Sequence, residues 1–527
     1  MNARSSLFIR LALAIAPFAF VHCGGGDGAN DGGLDASDGA TAADGPLPGD
    51  AAPNPDGGVI TKKTVGNYVG VNGLIADSVD DLAPIGVVRE YHNWGWIADN
   101  YAATPAYPNM LYTFMNFNGW DWDAFFAGLQ AKGVSGFPAV QGSVPWMNNS
   151  AIPPVPANAD KTLAASYVAH ADAMFQIAAR YGSTKVPDAQ LKLKANQTRS
   201  TGLGTVQYFE DFNEQDNSAA FTPDAFAAMA SADDDGDQGR LGPTFGVKSA
   251  DPNAKLVMGG LSGKYPTTQW VKSITDYLDG MRTWSSAHRS GSFPADVVNV
   301  HLYSFGSGGV SPALSPEADD IKGKLAAIVA YRDANLPGKE LWWTEFGYDS
   351  DSASPLGAPQ LGSNSSMIVQ AQWLVRDLLI GLALGIDRAT LFELDDTGPP
   401  DANQFTTCGL ITSTAVKKPA WYFVATFRAR LATMAFAGEQ ASNNPSVTVY
   451  KFKDTAGVGG AYVVWSPTSA ANVVSGYALA IGSAKTVSSV TLTDKQQNGV
   501  EAALSPSNGT VKVDVLETPL IVLVDAM

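Results

Sequence analysis

The chain has 527 residues, 45% of them hydrophobic and 10% aromatic, with only 16% charged and a formal net charge of −17. Its acidity and the lack of a Lys/Arg cluster exclude nucleic-acid binding, which takes grouped cations to release phosphate counterions. Single cores stop growing at roughly 250–300 residues, so one large domain and a smaller one are expected, with a surface whose polarity comes mostly from uncharged residues and suits neutral polar ligands outside the cell.

Arg4 and Arg10 precede an apolar run at 11–21 that is too short to span a bilayer, which predicts a cleaved signal segment at 1–22. Cys23 follows directly and is followed by Gly24-Gly25-Gly26. This arrangement resembles the lipidation site of bacterial lipoproteins, although His22 stands where that site prefers a small residue. Ordinary secretion with an incidental cysteine is the alternative. The only other cysteine is Cys408, so no disulfide framework is expected. Residues 23–60 are Gly, Asp, Ala and Pro with almost no large apolar side chain, and Asp27, Asp31, Asp35, Asp38, Asp44, Asp50 and Asp56 meet no basic residue before Lys62. Such a stretch cannot offset its ordering entropy by burial and reads as a self-repelling tether.

From 61 to 435 short apolar runs alternate with helical patterns. Strands are predicted at 68–73, 86–91, 136–141, 206–212, 255–260, 297–303, 340–345 and 389–394, and helices at 122–132, 163–181, 222–232, 268–286, 319–335 and 366–384. Strands separated by helices pair in parallel, and eight such units make an α/β fold of the (β/α)8 TIM-barrel kind. An open doubly wound sheet fits less well, because no GxGxxG turn follows the first strand. A last helix opens at Lys418-Pro419-Ala420 and runs to about 434. Residues 436–527 then change to short alternating runs at 447–452, 460–465, 476–481, 487–492, 511–515 and 520–524. They read as a small all-β sandwich packed on the barrel's flank. Trp465 is its only tryptophan, which argues against a glycan-stacking platform there.

Barrel chemistry sits at the carboxyl ends of the strands. Glu214 ends the fourth predicted strand region and Glu345 the seventh, each in an aromatic-rich run. Two carboxyls delivered to one rim from separate strands are what glycosidic cleavage requires, one as acid and the other as nucleophile or base. A separation of about 5–5.5 Å marks a retaining mechanism and about 6.5–9.5 Å an inverting one.

Asn213-Glu214 and Thr344-Glu345-Phe346-Gly347 resemble the acid/base and nucleophile motifs of retaining clan A glycoside hydrolases, especially of the family 39 and family 5 kind. Arg89, His301-Leu302-Tyr303, Phe392-Glu393-Leu394-Asp395-Asp396, Cys408-Gly409-Leu410 and Lys418-Pro419-Ala420 extend the resemblance as an ordered series across 65–435. Gln215 departs from it by replacing the usual proline. The resemblance implies that Glu214 is the acid/base, with a raised pKa, and Glu345 the ionised nucleophile. It further implies that Asn213 binds the sugar 2-hydroxyl, Tyr303 orients Glu345, Arg89 keeps Glu345 charged, and Asp395 lies in the substrate site.

His92 and His301 are read as substrate contacts rather than metal ligands, since neither belongs to a close cluster at ligand spacing; a core histidine is the alternative. Trp94, Trp96 and Trp146 follow the second and third strands, where an indole face can carry a sugar ring. Trp120 and Trp122 are read as packing. Asp233-Asp234-Asp235-Gly236-Asp237 lacks the full calcium-loop pattern and is expected to be an exposed acidic turn. No metal or cofactor is expected. The combined reading is a monomeric, retaining glycoside hydrolase for a β-linked polysaccharide or oligosaccharide, held outside the cell by a lipid anchor. Cleft-type endo action is favoured over exo action because a tethered enzyme meets polymers. The rival is a surface glycan-binding lipoprotein without catalysis; a structural envelope protein would have no pocket between the strand ends.

Overall fold

Eight strands, β1 (Val69–Gly73), β2 (Val87–Asn93), β3 (Gly136–Gln141), β4 (Tyr208–Asp211), β5 (Lys255–Met258), β6 (Val297–His301), β7 (Glu340–Glu345) and β8 (Arg388–Leu391), close into one parallel barrel. They pair in chain order, and β1 closes the ring by pairing with both β2 and β8. The computed structural model describes residues 63–98, 105–117, 119–147, 152–263, 269–306 and 309–527. The expected signal segment, Cys23 and the acidic tether lie outside the described residues.

Helices α1 (Trp122–Ala131), α2 (Val168–Tyr181), α3 (Pro223–Asp235), α4 (Trp270–His288), α5 (Ile321–Asn335), α6 (Ser366–Ala383) and α7 (Pro419–Leu431) cover the outside of the ring. Side chains at the helix starts satisfy backbone N–H groups. Asp121 accepts from Ala124 and Thr222 from Ala225, with Pro223 in the first turn of α3. α6 is apolar enough to cross a membrane by composition, yet 78% of it is buried. It is buried because it packs between the barrel and the β module, to which Gln372 and Arg376 hydrogen-bond.

The expected acidic turn is a correction. Asp233 and Asp234 belong to α3 and are buried, because hydrogen-bonding and basic side chains distant in sequence meet them. His170 Nδ1 lies 2.8 Å from Asp233, Lys248 Nζ 2.7 Å from Asp234, and Arg289 binds both Asp234 and Asp235. The helix stops at Gly236, whose φ of 67° is the left-handed conformation that ends helices.

Period-two alternation sorts the barrel interior into layers. Val87, Phe137, Tyr208, Val257, Val297 and Trp342 form an apolar floor. Polar Asn72, Arg89, Glu210, Asn299 and Thr344, all fully buried, lie above it. Trp342→Ala should empty most of the floor and cost about 3–5 kcal/mol, read as a lower urea midpoint. An unchanged midpoint would place the stabilising core elsewhere.

The β module contains β9 (Met434–Glu439), β10 (Thr448–Asp454), β11 (Gly460–Trp465), β12 (Val473–Ala480), β13 (Val487–Thr491), β14 (Val500–Leu504), β15 (Thr510–Leu516) and β16 (Leu520–Val524). One antiparallel sheet runs β9-β10-β11-β16-β13-β14, and β12 pairs with β15 as a second layer over Val449, Val464, Leu479, Val511, Val515 and Val522. β9 and β14 were not expected. β9 follows α7 with no turn signal and crosses the 435/436 boundary, while β14 is an exposed edge of helix-forming residues with no buried face to alternate. The module docks on α6 and α7 through Gln372 to Thr518 (2.7 Å), Arg376 to the Thr468 carbonyl (3.0 Å) and Arg430 to Glu501 (2.8 Å).

Candidate active site

Two backbone irregularities bring the paired carboxyls to the same rim. After β4 the chain turns through positive φ at Phe212 (98°) and Glu214 (48°), conformations that non-glycine residues adopt at a cost of order 1–3 kcal/mol. The Glu214 N–H is held by the Gly260 carbonyl at 3.0 Å. Gly260 itself has no alternative, since a Cβ there would lie 2.0 Å from His301 Nε2. On the other side, the β6–β7 register slips between Val300↔Trp343 and His301↔Glu345, leaving Thr344 as an extra residue. That bulge lets both Thr344 and Glu345 reach the inner face, where strict alternation would admit one of them.

Glu345 is the focus of the donors. Arg89 Nη1 lies 2.8 Å and the Tyr91 hydroxyl 2.5 Å from Oε1, while the Tyr303 hydroxyl donates to Oε2 at 2.9 Å. Arg89 is in turn clamped by Glu210, through Nε (2.6 Å) and Nη2 (2.8 Å), and donates to Asn72 and to Asn213 Oδ1. Glu214 has His301 Nδ1 at 2.9 Å from Oε1, and Asn217 donates to Oε2 at 2.9 Å. His301 Nδ1 also lies 3.5 Å from Glu345, and one ligand atom each of Glu214, His301 and Glu345 fall within 4.8 Å of one another.

The environments drive the two carboxyls apart in pKa. Burial raises Glu214 above the ordinary carboxylate range; a protonated His301 opposes this, and the charge of Glu345 reinforces it. Burial also penalises ionised Glu345, but the charges of His301 and Arg89 and the Tyr91 and Tyr303 hydroxyls outweigh it and hold Glu345 below that range. Burial pushes His301 down, and the two neighbouring carboxylates more than restore it. The two shifts run in opposite directions, Glu214 upward and Glu345 downward, the separation that an acid and a nucleophile need.

The structure gathers Arg89, Asn213, Glu214, His301, Tyr303 and Glu345 as the sequence suggested, with differences in who touches what. Arg89 is fully buried and reaches Glu345 rather than the open rim. His92 is a correction: Val87, Arg89 and Tyr91 take the inner face of β2, so His92 points outward with Glu90. Its Nδ1 lies 2.8 Å from Glu90, and its ring packs on Trp122. Trp94 is also corrected, being fully buried edge-on against His170 rather than open to a sugar. Trp96 is buried against Trp120, and Trp146 alone of the three keeps partial exposure, in the turn after β3. Asp395 is half-buried beyond β8, where its backbone bridges to Ile411.

Sequence reading missed Asn72, Tyr91, Glu210, Asn299 and Thr344. Alternation offered a signal for two of them, since Tyr91 is two residues from Arg89 and Asn299 two from His301. It also missed the aromatic wall around Tyr303, formed by Phe305, Phe392 and Phe405 at ring distances of 6.2, 6.4 and 5.1 Å. His301 does belong to a close His/Glu cluster, contrary to expectation. That donor set fits a cation poorly, because Arg89 and two hydroxyls already point at Glu345. Two clefts lie elsewhere. One, of about 490 Å³, lies at the amino-terminal ends of β3–β5; the other, of about 230 Å³, is lined by Glu317, Asp320 and Glu439 with Lys322, Tyr450 and Trp465.

No family model and no curated protein matches the chain. Solved structures do. A family 39 glycoside hydrolase from the gut symbiont Bacteroides cellulosilyticus WH2 is 16% identical with a TM-score of 0.57, over 88% of this chain and 83% of that one. A glucosidase from Croceicoccus marinus is 13% identical with a TM-score of 0.56, over 88% and 97%. The GH39 enzyme from Xanthomonas axonopodis pv. citri is 14% identical with a TM-score of 0.52, over 88% and 95%. At these identities the likeness is one of fold: a TIM barrel followed by a β-sandwich, an architecture this chain shares with glycoside hydrolases.

Proposed function

We propose that the protein is a retaining glycoside hydrolase acting on a β-linked polysaccharide or oligosaccharide. The observation that carries this reading is the convergence of Glu214, its pKa raised, and Glu345, its pKa lowered, with ligand atoms within 4.8 Å, among aromatic side chains. Carboxyl oxygens this close favour the short separation of a retaining site over the wider one of an inverting site. Glu345 attacks the anomeric carbon as the glycosidic C–O bond breaks. The electron pair of that bond stays on the leaving oxygen, which takes the Glu214 proton. Water then bonds to the anomeric carbon and gives a proton to Glu214, and the ester electron pair returns to Glu345. Arg89 fixes Asn213 Oδ1, so the Asn213 amide N–H groups remain to donate to a sugar hydroxyl. The fold shared with a glucosidase and family 39 enzymes agrees with this reading.

Hydrolysis of β-linked glycans by the full chain tests it, with the first-formed anomer followed by proton NMR. Retention of the β configuration is expected, and initial α product or no hydrolysis of any glycan would overturn the reading. The kcat/KM profile should be bell-shaped. Activity falls in acid as the lowered Glu345 carboxyl takes a proton, and in alkali as the raised Glu214 carboxyl loses one. Glu214→Gln should remove the alkaline limb.

A further inference from the structure

The polar layer beneath Glu214 forms an ordered chain of hydrogen bonds whose donor directions can be assigned. Glu210 is clamped by Arg89, which only donates, so Glu210 Oε1 accepts from Asn299 Nδ2 at 3.1 Å. This sets the Asn299 amide and turns its Oδ1, an acceptor only, toward Thr344. The Thr344 hydroxyl spends its single proton on that oxygen at 2.8 Å. Facing His301 Nε2 at 3.0 Å, Thr344 Oγ1 can then only accept, so Nε2 carries a hydrogen. In a neutral imidazole the other nitrogen, Nδ1, is bare, and it is the one 2.9 Å from Glu214.

We infer that Asn299 and Thr344 are positioning residues that lock neutral His301 as its Nε2–H tautomer, so that Nδ1 accepts a hydrogen bond from protonated Glu214. This rests on the acid/base reading of Glu214 and adds the device that keeps the proton there. The opposite tautomer would donate to the carboxylate, stabilise its ionised form and weaken the acid. The lock originates in Arg89, which also donates to Glu345, so one buried guanidinium is hydrogen-bonded into the surroundings of both carboxyls. The charged and titratable groups acting on the imidazole are Glu214, Asp216, Glu345 and Arg89, with Tyr303 hydrogen-bonded to Glu345 beside it and Glu210 behind Asn299. On the β5 side it meets the backbone of Gly260, which brings no charge.

Nitrogen NMR of the ¹⁵N-labelled full chain tests the tautomer without reference to activity. The chain has five histidines, and His301→Gln assigns the signal. Above the pH at which His301 loses its second proton, Nε2 should show the proton-bearing shift and Nδ1 the bare one. Thr344→Val should move the population toward Nδ1–H, and Thr344→Ser should restore it. In kinetics with methyl and dinitrophenyl β-glycosides of glucose and xylose, Thr344→Val should shift the alkaline limb to lower pH. Its loss of kcat/KM should be about 10²-fold on the methyl glycoside, whose leaving group needs a proton, and at least about tenfold smaller on the dinitrophenyl one. A wild-type signal with the proton on Nδ1, or a folded Thr344→Val with unchanged tautomer and pH profile, overturns the lock. If Thr344→Val fails to fold, the wild-type spectrum still decides. A wild-type chain that hydrolyses no glycan, yet shows Nε2–H, would instead overturn the glycosidase reading and leave the tautomer assignment standing.

Discussion

Glu345→Ala is expected to lower kcat/KM by roughly 10⁴-fold or more while leaving the fold intact, because it removes the atom that bonds to the anomeric carbon. Truncation vacates the space facing the Arg89, Tyr91 and Tyr303 donors, which would then be without their acceptor. Small anions should therefore restore turnover of an activated aryl glycoside. Azide should give a glycosyl azide of inverted configuration, since it attacks from the Glu345 side and no second displacement follows. Unchanged hydrolysis in this variant would remove Glu345 from the chemistry, and a rescued product of retained configuration would place the nucleophile elsewhere.

Arg89→Met is expected to carry the largest stability loss of any substitution in the site. Arg89 is fully buried and holds Glu210, Glu345, Asn72 and Asn213 together. Removing one partner of a buried ion pair leaves an uncompensated charge and costs about 3–5 kcal/mol, measurable as a fall in unfolding free energy in urea. The pH dependence has a definite sign. Glu345 is depressed in the folded state, so its share of the stability is present above the unfolded carboxylate pKa and is lost as pH falls through the folded value. The deficit of the variant relative to the wild type should therefore narrow in acid. The acid limb of kcat/KM should move to higher pH, because Glu345 loses one of the charges that keep it ionised. A variant as stable as the wild type, with an unmoved acid limb, would show that the guanidinium does not set the state of Glu345.

Much of the barrel was legible because its signals are local. β3 and β7 occupy the expected residues, and the other six strands differ only at their ends: β4, β5, β6 and β8 stop short of the expected run, β1 starts one residue later, and β2 runs on to Asn93. In β4 the run reaches Phe212, but the positive φ there has already taken the chain out of the strand. The errors share a cause, which is that burial and facing depend on residues far away in sequence. Asp233 and Asp234 read as an exposed turn because His170, Lys248 and Arg289 cannot be seen as their partners from within the run. His92 and Trp94 looked like rim residues by position along the strand, and side-chain direction placed them in the outer packing instead.

Local pattern alone, through apolar periodicity, helix-start residues and two acid-bearing strand ends, determined the eight-fold alternation and singled out Glu214 and Glu345 as a candidate pair. Tertiary structure alone decided in which direction each carboxyl's pKa moves. The slipped β6–β7 register, the close approach of Gly260 to His301 and the reach of Arg89 across the barrel join residues more than 40 positions apart in the chain. A pKa follows from the charges, hydroxyls and exclusion of water within a few ångströms, and those neighbours exist only once the ring has closed.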